Sequence, residues 1–132
     1  MLEVVRKIKA WEHSHRLVVE VYKVTCGFPR GELYGLTSQL RRAAVSVPAN
    51  IAEGSQRYFL KEYRQFLYTA KASLTEVEYY LYLAEELEYL QNEDAERLSA
   101  FSDEAAKTLQ GLIKWLENQI QAGKLTKDDL KK

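Results

Sequence analysis

Between Phe59 and Tyr89 the chain contains neither glycine nor proline, and its apolar residues recur with the period of an α-helix. Phe59, Tyr63, Phe66, Ala70, Ser73, Val77, Tyr80, Ala84 and Leu87 alternate at spacings of four and three, flanked by Leu60, Leu67, Leu74 and Leu81. This pattern predicts one long helix, from Phe59 to Leu87 or Tyr89, with a wide face to bury.

Three further segments show the same period. The first is expected from Ile8 or Trp11 to Phe28, carrying Trp11, Ser14, Val18, Val21, Thr25 and Phe28. Phe28-Pro29-Arg30-Gly31 ends it, because Pro29 disfavours helical geometry at Phe28 and Gly31 permits a turn. The second is expected from Glu32 or Leu33 to Gly54-Ser55, with Leu36, Leu40, Ala43, Val47 and Ile51 on one side and Arg41 and Arg42 pointing away. Pro48 offers no N–H to the carbonyl of Ala44, so this helix should kink or restart there. The fourth runs from Asn92 or Asp94 to Gln121, ahead of Gly123, with Leu98, Phe101, Ala105, Leu109, Leu112, Leu116 and Ile120 as its stripe and Trp115 alongside. Residues Leu125 to Lys132 have little to pack and are expected to fray.

Four amphipathic helices joined by short turns predict an all-α, antiparallel up-down-up-down four-helix bundle, with a pair of helical hairpins completed by oligomerisation as the alternative. A chain of 132 residues fits one such domain, with an ordered core over about 9–121. No apolar run is long enough for a signal peptide or a membrane span, and the lone Cys26 excludes an intramolecular disulfide. A cytoplasmic protein with no membrane association is expected, with Cys26 buried on the first helix.

The formal charge is zero, yet unevenly distributed. Residues 1–75 hold 12 Lys/Arg against 6 Asp/Glu, and residues 76–132 hold 7 against 13. Either the two halves neutralise each other across the bundle, or a basic face is free to meet phosphate. Arg41, Arg42, Arg57, Lys61, Arg64 and Lys71 form the basic cluster, with Tyr58 and Tyr68 interleaved. The spacing of Arg57, Lys61 and Arg64 puts them on one face able to follow a nucleic-acid backbone; ion pairing to Glu53 or Glu62 is the competing role.

Tyr68, Ala72, Thr75, Tyr79, Tyr82 and Tyr89 project opposite the core face of the long helix. A bundle does not need a second apolar face, so Tyr68, Thr75, Tyr79, Tyr82 and Tyr89 are expected at a subunit contact. No catalytic, cofactor or metal site is expected. His13 and His15, two residues apart, point away from one another on a helix, and the acidic run Glu76, Glu78, Glu85, Glu86 and Glu88 lacks the Glu-x-x-His signature of di-iron bundles. His15, four residues after Trp11, is expected at the edge of the core. No phosphate-binding glycine loop or nucleophile elbow is present either.

The run Leu36 to Gly54, together with Lys61 to Glu78, Trp11, Phe28-Pro29 and Leu33-Tyr34-Gly35-Leu36, closely resembles the four-helix bundle proteins encoded in intervening sequences of bacterial 23S ribosomal RNA genes. The resemblance covers about residues 9–120. It implies a homo-oligomeric bundle, a pentameric ring, with no catalytic residues and no settled biochemical role. A more distant likeness is to the accessory proteins of diversity-generating retroelements, ring-shaped bundles that bind nucleic acid and a reverse transcriptase; those are strongly basic and this chain is neutral. Two functions follow as expectations: a non-enzymatic oligomer that binds RNA or a ribonucleoprotein through Arg41, Arg42, Arg57, Lys61 and Arg64, or a protein-recruiting adaptor with no nucleic-acid role.

Overall fold

A computed structural model of the protein describes residues 1–131. A short helix α1 (Leu2–Val5) precedes four long ones: α2 (Lys9–Thr25), α3 (Leu36–Ser55), α4 (Leu60–Glu86) and α5 (Asn92–Gln121). Each packs on the next in the chain, and α5 returns to α2, which closes an antiparallel four-helix bundle. No helix is long and apolar enough to cross a membrane among the described residues.

The buried residues of α4 are Leu60, Tyr63, Leu67, Ala70, Leu74, Val77, Leu81 and Ala84, together with Ser73. The leucines expected on the flank are therefore the centre of the seam, and its phase is turned from the expected one. Phe59 and Leu87 lie just outside the helix and are exposed, while Tyr80 only packs sideways onto the core. Two phases overlap in this sequence, and the aliphatic one goes inward because branched chains interdigitate at close helix spacing whereas rings reach the rim. The same small rotation recurs elsewhere: Leu17 rather than Val18 is fully buried in α2, and Ile113 rather than Leu112 in α5.

Gly54 lets α3 approach α4. A Cβ placed there would stand 2.8 Å from Phe66 Cβ and 2.9 Å from Tyr63 Cδ1. The glycine lies inside the last turn of the helix, which ends one residue later. Pro48 is buried within a helix that continues through it without restarting. Nearby, the Asn50 side-chain amide donates to the Ser46 carbonyl (2.8 Å) and Ser46 Oγ (3.0 Å), and Ser46 Oγ meets Ser73 Oγ of α4 at 2.8 Å.

The helix ends obey two different rules. At the end of α5 Gly123 takes φ +91, and the amides of Gly123 and Lys124 bond back to Ile120 and Gln119. At the end of α4 the same pattern is built on Glu88, a non-glycine residue at φ +62, with the amides of Glu88 and Tyr89 on Glu85 and Ala84.

The C-terminal segment, where the sequence predicts a frayed tail, folds back on the start of α4 up to Lys131; Lys132 lies outside the described residues. The Leu125 carbonyl accepts the Leu60 amide (3.0 Å), the Lys127 amide donates to Tyr58 O (3.0 Å), and a 3-10 turn over Lys127–Lys131 places Leu130 against the core. The first amides of any helix lack partners within it, and the tail supplies one at the start of α4.

Gly54→Ala is expected to lower stability by about 1–2 kcal/mol, the overpacking exceeding alanine's better helix propensity; a reduced urea midpoint at unchanged slope checks it. Tyr63 is only 6% exposed, and burial pushes its hydroxyl pKa up to about 12. The folded state then holds this proton more tightly than the unfolded chain, whose tyrosines titrate near 10. Stability should be intact below about pH 10 and fall by roughly 2–3 kcal/mol as pH rises toward 12. Denaturation at stepped alkaline pH should show a shallower fall for Tyr63→Phe than for the native chain.

Candidate nucleic-acid interface

Helix geometry divides the basic cluster in two. Arg41 and Arg57 are sixteen residues apart in sequence, which along α3 is about 24 Å. Arg41 and Arg42 lie near the start of α3, where α2 ends; Arg57, Lys61 and Arg64 lie at the opposite end of the bundle.

At the first end the Arg41 guanidinium is held from three directions. Its Nε donates to Thr25 Oγ1 at 2.8 Å, its Cζ sits 4.7 Å from the centre of the Tyr22 ring, and Nη2 lies 3.9 Å from Cys26 Sγ. Cys26 is exposed, not buried as expected, because it caps α2 one residue past the buried Thr25 and so points away from the core. Arg42, exposed, makes no ion pair among the described residues. A shallow cleft of about 390 Å³ is lined by Tyr22, Leu33, Tyr34, Thr37, Ser38, Arg41 and Arg42, with no carboxylate among them. Tyr34 is 93% exposed at its rim.

The nearest acid is occupied. Glu32 Oε1 accepts the Leu36 amide (3.2 Å) at the start of α3, and Oε2 accepts the Tyr89 hydroxyl (2.8 Å). This carboxylate acts as the helix cap, which is why α3 begins at Leu36 and not at Glu32 or Leu33; residues Arg30–Glu32 form a 3-10 turn. The Glu32 hydrogen bond raises the Tyr89 pKa, and the Tyr89 ring packs 5.6 Å from that of Phe28. Tyr89 therefore lies beyond the end of α4, turned in toward the start of α3, and is separate from the outer tyrosine stripe.

At the second end Arg57 is turned back on α3. It pairs with Glu53 at 3.0 Å and lies 4.9 Å from the centre of the Phe66 ring, so it does not share a free face with Lys61 and Arg64. Those two line a cleft of about 550 Å³ with Lys114, Glu117, Asn118, Ile120 and Gln121. Glu117 receives the Tyr68 hydroxyl, and Arg64 stands 6.0 Å above the Tyr68 ring. Glu62 makes no ion pair among the described residues.

Along the outer face of α4, Tyr79 and Tyr82 are 57% and 60% exposed, and Tyr68 and Thr75 are exposed as well. Tyr82 donates to Glu86 at 2.9 Å, which raises its pKa. His15 is exposed and stacks on Trp11, ring centres 4.9 Å apart at an interplanar angle of 8°. Among the described residues no three His, Cys, Asp or Glu side chains converge as a metal site. Among the described residues, the ion pair that joins two bundle helices is Arg97–Glu20 at 3.0 Å, between α5 and α2. It pairs an acid of the basic half with a base of the acidic half, so the excess charges of the two halves do not meet each other there.

Sequence reasoning singled out the arginine pair but passed over Tyr34, Tyr22 and Ser38 beside it. The Tyr34 signal was the Tyr34-Gly35 step ahead of a helix, a place where a ring has nothing to pack on. The fold places this chain among the antiparallel four-helix bundle proteins. The model of the 23S rRNA-intervening sequence protein family matches residues 6–111, and the chain belongs to that family. It is also similar to the crystal structure of a protein with unknown function from the S23 ribosomal protein family of Bacteroides thetaiotaomicron. That likeness is 27% in sequence identity with a TM-score of 0.71, and covers 80% of this chain and 98% of the other. No curated protein matches the sequence.

Proposed function

We propose that the chain is a non-enzymatic helical bundle that binds single-stranded RNA through the cleft of Arg41 and Arg42. The observation that carries this reading is a pair of arginines in a cleft without a carboxylate, beside a tyrosine ring that is 93% exposed. Guanidinium groups take phosphate oxygens in a fixed fork, and an exposed ring offers a stacking surface to an unpaired base. Arg41, already oriented by Thr25 and Tyr22, loses little freedom on binding. The cleft lies wholly inside the residues matched by a family whose name refers to 23S rRNA. Lys61 and Arg64, at the other end, would contact a longer strand; the Arg57 charge is engaged by Glu53. The Cys26 thiol beside Arg41 has the Tyr22 carbonyl and the Arg41 guanidinium as hydrogen-bonding neighbours, neither of them a general base.

A second reading, compatible with the first, rests on the exposure of Tyr79 and Tyr82. Two large rings on one outer stripe, with Tyr68 and Thr75 between them and the N-terminal end of α4, form a face suited to self-association. In this reading the protein is a homo-oligomer, and the face could equally seat a recruited protein.

Titration of a fluorescein-labelled single-stranded RNA in a salt series should give binding that weakens linearly in log salt. Arg42→Glu should weaken it about tenfold while leaving thermal stability unchanged, and Tyr34→Ala about tenfold for single strands but little for duplex RNA. Absence of binding at low salt, or equal binding by Arg42→Glu, removes the proposal. Native mass measurement should show an oligomer whose subunit number it also counts, and Tyr79→Asp with Tyr82→Asp should dissociate it to monomer; an unchanged mass excludes the tyrosine face.

A further inference from the structure

The turn over residues 29–35, which brings Leu33 and Tyr34 to the arginine cleft, is anchored by a residue that does not line that cleft. Tyr89, in the connection between α4 and α5, meets the turn at two points. Its ring packs 5.6 Å from that of Phe28, at the entry, and its hydroxyl donates to Glu32 Oε2 at 2.8 Å. Glu32 in turn holds the backbone on the far side of Tyr34: its carbonyl accepts the Gly35 amide (2.9 Å) and its Oε1 accepts the Leu36 amide (3.2 Å). The carboxylate reaches that amide across Gly35, where a Cβ would stand 2.8 Å from Oε1. Tyr34 is thus enclosed by a short loop that Glu32 closes, while its own ring is 93% exposed and has little to fix it.

The placement of Tyr89 is itself maintained at a conformational cost. Glu88, the residue before it, takes φ +62, a region that side chains rarely adopt and that helix ends usually fill with glycine. With Glu88 so turned, the Tyr89 amide bonds back to the Ala84 carbonyl (2.9 Å) while its hydroxyl reaches Glu32. A strained residue persists only where its surroundings hold it, and such residues collect where a neighbour must be aimed.

We propose that Tyr89 is a positioning residue of the RNA cleft, whose hydroxyl, acting through Glu32, keeps Tyr34 in place to stack on an unpaired base and so sets a preference for single strands. The proposal rests on the reading of that cleft as an RNA site. A stacking surface on a mobile turn must be ordered when the base arrives, which lowers affinity; an anchored turn is ordered beforehand. Phosphate contact takes another route, since Arg41 is oriented by Thr25 and Tyr22 of α2. Duplex RNA, whose bases are already stacked on one another, draws on the arginines alone. The Tyr89 hydroxyl should therefore matter to single strands and not to duplexes.

The test is titration of fluorescein-labelled single-stranded and duplex RNA with the full chain at low salt. Tyr89→Phe keeps the ring on Phe28 and removes only the hydroxyl; it should weaken single-strand binding about fourfold and leave duplex binding unchanged. Glu32→Ala should weaken single-strand binding at least as much, and adding Tyr89→Phe to it should weaken binding no further, because the two residues act in series. In a Tyr34→Ala background Tyr89→Phe should likewise add nothing. Thermal midpoints verify that each variant folds. Amide hydrogen exchange gives a readout without RNA: in Tyr89→Phe the Gly35 and Leu36 amides should exchange about tenfold faster while that of Leu67 in the core is unchanged. The proposal is overturned if Tyr89→Phe leaves single-strand affinity unchanged, weakens both RNA forms equally, adds its full effect to Tyr34→Ala, or leaves the exchange of Gly35 and Leu36 unchanged. A native chain that binds neither RNA, or a Tyr34→Ala variant as tight as the native chain, removes the reading of the cleft and this proposal with it. Weakening by Tyr34→Ala with none by Tyr89→Phe removes this proposal alone.

Discussion

The close approach of α3 and α4 at Gly54 is the contact on which the rest of the bundle depends. With no Cβ on Gly54, Tyr63 and Phe66 settle against the α3 backbone, and α4 is turned so that Leu60, Leu67, Leu74 and Leu81 point inward. Once that rotation is set, every other side of α4 is assigned. Tyr79 and Tyr82 face outward, Glu78 and Glu85 line a cleft against α5, and Tyr68 reaches Glu117 near the end of α5. Packed interiors transmit such constraints because they hold few voids to absorb a rotation.

The two ends of the bundle are finished in different ways, and both leave chemistry at the surface. At one end a single carboxylate, Glu32, caps α3 and holds Tyr89. That arrangement commits both Glu32 oxygens to the Leu36 amide and the Tyr89 hydroxyl, while Thr25 and Tyr22 fix the direction of Arg41. At the other end the C-terminal segment returns to the start of α4, where the Leu125 carbonyl meets the Leu60 amide and Tyr58 donates to Asp128 at 2.8 Å. The tail is thus held both by backbone hydrogen bonds at the start of α4 and by Leu130 packed against the core.

Zero net charge conceals a molecule with two opposed surfaces. Most ion pairs among the described residues join neighbours three or four residues apart on one helix, such as Lys9–Glu12, Arg16–Glu12 and Lys23–Glu20. Pairs of that kind are worth little to stability and leave the long-range asymmetry in place. Among the described residues, Arg42, Lys61 and Arg64 form no ion pair, and neither do Glu78, Glu85 and Asp103.

The four long helices, their order and most of their ends were legible in the sequence, because helical period, proline and glycine act locally; the short α1 was not. Asn92, Gln121 and Gly123 mark α5 as read, whereas the stop at Glu88 carries no glycine to announce it. The arginine pair and the outward tyrosines Tyr79 and Tyr82 were legible for the same reason: their direction follows from spacing on one helix. Tertiary structure alone decided which of two overlapping apolar phases turned inward, that Cys26 is exposed, that Arg57 folds back on Glu53 and Phe66, and that residues up to Lys131 are ordered. It alone brought Tyr34 beside Arg42. A period states which residues share a side; only the partner helix, through its shape and its unmet hydrogen bonds, determines which side is buried and what stands across from it.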